Sequence, residues 1–176
     1  MPSTMELLMR YTPAALALSA VLAVTASAGH GAPPAPLEAR AAALVAQGRT
    51  ALVAGDTDKA IDQFEAAMAI QPGHIAILLN LAEATRKQGM QGKALHYYRQ
   101  ALKVEPENRY AIAGEGVTLV EKGAIEKARR NLARLQQLCG GTCPPAQELA
   151  AAIQKGPTPQ VVTADEVKPQ PVVSAN

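Results

Sequence analysis

Two cysteines and three histidines are the residues in this sequence best suited to covalent chemistry or metal binding, and their spacing limits what they can do. Cys139 and Cys143 stand in "CGGTC". Three residues separate them, not the two of a thioredoxin-like redox site, and no His follows the second to mark haem attachment. In an oxidising compartment two cysteines this close favour a local disulfide, and the intervening glycines let the chain turn tightly. Closing so small a loop is worth about 2 kcal/mol in the chain-entropy description. His30, His74 and His96 have no Cys, Asp or Glu at metal-ligand or catalytic-triad spacing, which makes them solvated side chains. The glycines are spread one per junction, so no phosphate-cradling loop forms. The expectation is a protein with no catalytic residue, no cofactor and no bound metal, in which Cys139 and Cys143 form a structural bridge. The alternative is a thiol–disulfide or metal-handling protein acting through the same pair.

The elements around these residues come from a repeat. "GDTDKAIDQFEAAMAIQP" from Gly55 returns after 34 residues as "GMQGKALHYYRQALKVEP" from Gly89, then as "GAIEKARRNLARLQQLCG" from Gly123. Lys59-Ala60, Lys93-Ala94 and Lys127-Ala128 align, as do the bulky Phe64, Tyr98 and Leu132. Small residues precede each shared glycine by seven: Gly48, Ala82 and Gly116. Small side chains let two helices approach and a bulky neighbour fills the adjoining gap. A glycine between the helices accepts the positive φ of a helix end, and Pro72 and Pro106 stop the second helix of their copies. The pattern predicts helices over 37–53, 57–70, 75–88, 91–104, 109–122 and 125–138. A seventh, over 145–155, carries an apolar stripe of Leu149, Ala152 and Ile153 that suits it to cap an open-ended stack.

On these residues the segment from Ala41 to Gly140 resembles the tetratricopeptide repeat family, whose period is 34 residues. The chain departs from the family pattern in having no Trp, no Leu before Gly48 and no closing Pro in the third copy. The resemblance implies an all-α solenoid of helical hairpins, with three repeats plus a C-terminal capping helix. It also implies a concave groove lined by the first helix of each pair, including Arg49, Leu52, Asn80, Glu83, Arg86, Lys87, Tyr110, Val117 and Glu121. Family members that grip carboxylate tails of cytosolic chaperones use Lys, Asn, Asn, Lys and Arg on this face. The matching positions here are Val45, Arg49, Asn80, Tyr110 and Gly114, and only Asn80 agrees, so that clamp is absent. The groove expected is a mixed face. Asn80 can hydrogen-bond a peptide backbone, Arg86 and Lys87 can receive an acidic group, and Arg49 can instead pair with Glu83 between hairpins.

The ends of the chain read differently. Residues 1–28 carry Arg10, an apolar run from Ala14 to Val24 and the small Ala26-Ser27-Ala28, the layout of a signal peptide cleaved near Ala28. The run is shorter than the roughly 20 residues of a membrane span, so no stable membrane insertion is expected after cleavage. Residues 29–36 form a spacer and 37–155 the repeat domain with its cap. Residues 156–176 read as a disordered Pro-rich tail, since proline lacks the amide donor a helix needs. A formal charge of +2 and only 3% aromatic residues argue against nucleic acid as a partner. The function expected is a periplasmic or secreted adaptor that binds another protein, by peptide or helix, as part of an envelope complex. A purely structural subunit whose groove is filled by its own tail is a further possibility.

Overall fold

The structure is a computed structural model that describes residues 36–157. The segments expected to be a signal peptide, most of the expected spacer and nearly all of the expected tail lie outside those residues. Within them the chain forms seven helices and no strand: α1 (Ala39–Val53), α2 (Thr57–Ile70), α3 (Ile75–Lys87), α4 (Gln91–Val104), α5 (Arg109–Glu121), α6 (Ile125–Cys139) and α7 (Pro144–Lys155). Each bound lies within two residues of its expected place. All seven belong to one compact unit that begins at Leu37.

The three hairpin turns share one mechanism. Gly55, Gly89 and Gly123 take φ of +85°, +82° and +76°, where any Cβ is disfavoured. The left-handed residue lets the next amide reach back five residues: Asp56 to the Ala51 carbonyl, Met90 to Thr85 and Ala124 to Leu119. The glycine amides bond the carbonyls of Leu52, Arg86 and Val120, which completes a Schellman motif at each turn. Side chains cap the helix starts: Asp56 accepts from the Lys59 amide, His74 Nδ1 from Ala76, and Asn108 from Ala111.

The first helices of successive hairpins pack on one another, α1 on α3 and α3 on α5, whereas the backbones of α2, α4 and α6 stay farther apart, with α4 reaching α2 through the Lys93–Glu65 ion pair at 2.8 Å. Closer approach on one side makes the array curve, with α1, α3 and α5 on the inside. α7 packs on α5 and α6, the place a fourth first helix would take.

In the first repeat the fit is as expected. Phe64 is fully buried, and a Cβ added at Gly48 would lie 2.4 Å from its ring. The third repeat solves the same problem differently. Leu132 is only partly buried, and Gly116 is met instead by Leu149 of α7, where a Cβ would lie 2.6 Å from the Leu149 side chain. The fully buried Leu149, with Ala146 beside it, covers an apolar face that the last hairpin leaves open.

Candidate functional site

The inner face of the array holds the groove. At its centre, between α3 and α5, lies a cleft of about 240 Å³ with Leu79, Ala113 and Val117 as apolar walls. Tyr98 closes its floor. A Cβ at Gly114 would come within 2.3 Å of that ring, so the glycine is what lets the ring lie across α5. Tyr110 stands at the rim, 68% exposed, and Glu148 of α7 lines the far side.

Arg86 is the electrostatic centre. Its Nε and Nη2 donate to Glu83 Oε2 and Oε1 at 3.0 and 2.8 Å, and its Nη1 donates to Glu121 Oε1 at 2.5 Å. The three side chains are 19%, 34% and 24% exposed for Arg86, Glu83 and Glu121. Burial pulls the Arg86 pKa down, but the hydrogen bonds and charges of Glu83 and Glu121 outweigh it and push it above the ordinary guanidinium value. Tyr98 donates its hydroxyl to Glu83 Oε2 at 3.2 Å, and burial holds that phenol well above its usual range. Lys87 approaches Glu83 only to 3.9 Å. The second oxygen of Glu121 is buried without a hydrogen-bond partner.

The sequence expectation for Arg86 therefore changes. Its three nitrogens each donate to a glutamate, with one N–H left on each Nη, so an acidic ligand would have to share the guanidinium with Glu83 and Glu121. Arg49 does not pair with Glu83 either. Its Nε donates to Asn80 Oδ1 at 3.1 Å, while Asn80 Nδ2 donates to the Ala76 carbonyl at 2.5 Å. A carboxamide carries two lone pairs and two N–H groups. Asn80 thus keeps one acceptor and one donor position for a peptide backbone.

Of the groove residues, Glu83, Arg86 and Tyr110 meet at the cleft, Lys87 stands at its edge, and Arg49 and Asn80 sit together toward the first hairpin. Glu148 was not among the groove residues expected from the sequence. The signal was there: a step of 34 residues from Asn80 reaches Gly114, and the next reaches Glu148. At the opposite end of α6, the Sγ atoms of Cys139 and Cys143 are placed at bonding distance, with Cα atoms 5.9 Å apart. Among the described residues no three His, Cys, Asp or Glu side chains gather as a metal site. No helix among them is long and apolar enough to cross a membrane.

Residues 39–106 match the family model described as tetratricopeptide repeat. The Sgt2 TPR domain from Aspergillus fumigatus is 20% identical, with 83% of this chain and 95% of that one covered at a TM-score of 0.62. The first TPR of Spaghetti (RPAP3), solved with the HSP90 peptide SRMEEVD, is 21% identical over 66% of this chain and 92% of that one, at 0.59. The Arabidopsis OM64 TPR domain is 15% identical over 66% and 95%, at 0.60. At such identities the likeness is one of fold. No curated protein matches the chain in sequence.

Proposed function

We propose, from the tetratricopeptide repeat match over residues 39–106 and the repeat fold, that the chain is a non-catalytic adaptor of the cell envelope, binding a peptide or partner helix along its concave face. The observation that carries this reading is the cleft between α3 and α5, open on the inner face beside a carboxamide with spare hydrogen-bonding positions. Apolar walls bury an anchor side chain, and Asn80 holds the backbone that bears it. The Spaghetti repeat domain was solved with a peptide bound, which makes a peptide the natural first candidate for a ligand here.

Export is read from the sequence. The leader of residues 1–28 sends the chain to the periplasm, so that the mature protein begins near Gly29. The same oxidising compartment keeps Cys139 and Cys143 bridged, tying the end of α6 to the start of α7. The Cys139→Ser, Cys143→Ser double variant is expected to lose about 2 kcal/mol in denaturant unfolding. It should keep its partner, because Asn80 and the apolar walls of the cleft lie on α3 and α5. Loss of partner binding in a folded double variant would favour thiol chemistry over the adaptor reading.

The experiment is crosslinking in intact bacterial cells, followed by affinity measurement with the recovered partner. Asn80→Ala should weaken binding about tenfold, since a bound peptide loses a hydrogen bond worth about 1 kcal/mol or somewhat more. A folded Asn80→Ala variant with unchanged affinity would move the binding site off the concave face. An N-terminus at Met1 in the cell-associated protein would overturn the cleavage.

A further inference from the structure

We infer that the cleft selects a cationic partner: an extended segment whose Lys or Arg side chain enters between Glu148 and Glu83, with an apolar neighbour against Leu79 and Val117. The inference rests on the groove being the binding face, as proposed above, and adds the chemistry of what it takes.

Three observations support it. First, the cation that the sequence offers for an acidic ligand is already neutralised: the Arg86 guanidinium contacts both Glu83 and Glu121. Second, the charged residues lining the cleft are the carboxylates Glu83 and Glu148 and the cation Arg86, leaving one negative charge in excess. Glu148 has no ion pair or hydrogen bond from its side chain among the described residues. Third, the rim residue is aromatic. Tyr110 is exposed beside these carboxylates, and an aromatic face attracts a cation within about 6 Å of its centre. A carboxylate ligand would meet the opposite conditions. It would lie beside Glu148, with the lining cation Arg86 already shared by two glutamates, and like charges in a partly desolvated cleft repel. The three positions expected to carry Lys, Lys and Arg in a carboxylate clamp are here Val45, Tyr110 and Gly114, none of them charged.

The test is selection of random peptides displayed on phage against the full chain, compared with the same selection against Glu148→Lys. Glu148 is exposed and outside the helix core, so the variant should fold, as checked by its melting temperature. Enrichment of Lys or Arg flanked by apolar residues on the parent, lost on Glu148→Lys, supports the inference. A synthetic peptide from the enriched set should then bind roughly threefold to tenfold more weakly to Glu148→Gln, in keeping with one surface charge contact. Its affinity should also fall with added salt. Enriched peptides that are acidic or without charge bias overturn the cationic inference but leave the groove as a peptide site. Enriched peptides whose binding survives Asn80→Ala and Tyr110→Ala overturn the groove reading itself, and so does failure to enrich any peptide.

Discussion

Phe64→Ala is expected to lose about 3–5 kcal/mol of unfolding free energy, the range for truncating a fully buried aromatic side chain. The ring is at 0% exposure and lies where a Cβ on Gly48 would stand, so it fills the contact between α1 and α2. Two terms add: the apolar surface returned to water on unfolding shrinks, and a cavity remains because two helices held by a Schellman turn cannot close over it. In a stacked array the damage should be greatest in the first hairpin, since each repeat contacts only its neighbours. Hydrogen exchange should therefore quicken in α1 and α2 before α5 to α7. The loss is read from denaturant unfolding of parent and variant. A change below about 1 kcal/mol would put Phe64 at a surface site and the hairpin register in error.

The same hairpin explains why the fold was legible in the sequence. Gly55, Gly89 and Gly123 do one job in all three copies, and a job repeated at fixed period leaves a periodic trace. The helix bounds follow from that trace to within two residues. What the trace could not carry are features that occur once. The replacement of Leu132 by Leu149 opposite Gly116 depends on a capping helix with no counterpart in the other repeats. The charge partners of the groove were also hidden. Arg49 had two polar candidates on α3, Asn80 and Glu83, a single turn apart, and side-chain rotamers decided for Asn80. Arg86 had Glu83 on its own helix and Glu121 on α5, and took both. The sequence reads each charge as free until packing assigns it, so the groove's residues were legible and its electrostatic character was not.

That assignment can be tested through Arg86 itself. Arg86→Met is expected to lose about 3 kcal/mol, the second of the large effects. Methionine keeps the length and apolar stem of the side chain, so what disappears is the guanidinium and its three hydrogen bonds at 2.5 to 3.0 Å. Removing one partner of a buried pair costs about 3–5 kcal/mol, because the remaining charge stays desolvated. Here two carboxylates remain, Glu83 and Glu121, and they now repel across the α3–α5 contact. Residual exposure of a quarter to a third lets water screen part of that repulsion, which places the expected loss at the low end. Arg86→Lys should recover only part of it, since an ammonium cannot match the two-pronged contact with Glu83. The decisive comparison is Arg86→Met combined with Glu83→Gln and Glu121→Gln. Neutral amides in place of the unpaired carboxylates should restore most of the stability, and the shortfall from additivity measures the coupling directly. If Arg86→Met alone costs less than about 1 kcal/mol, the guanidinium is not held by these two glutamates in solution. It would then be free for an acidic ligand, and the cleft would carry the opposite preference.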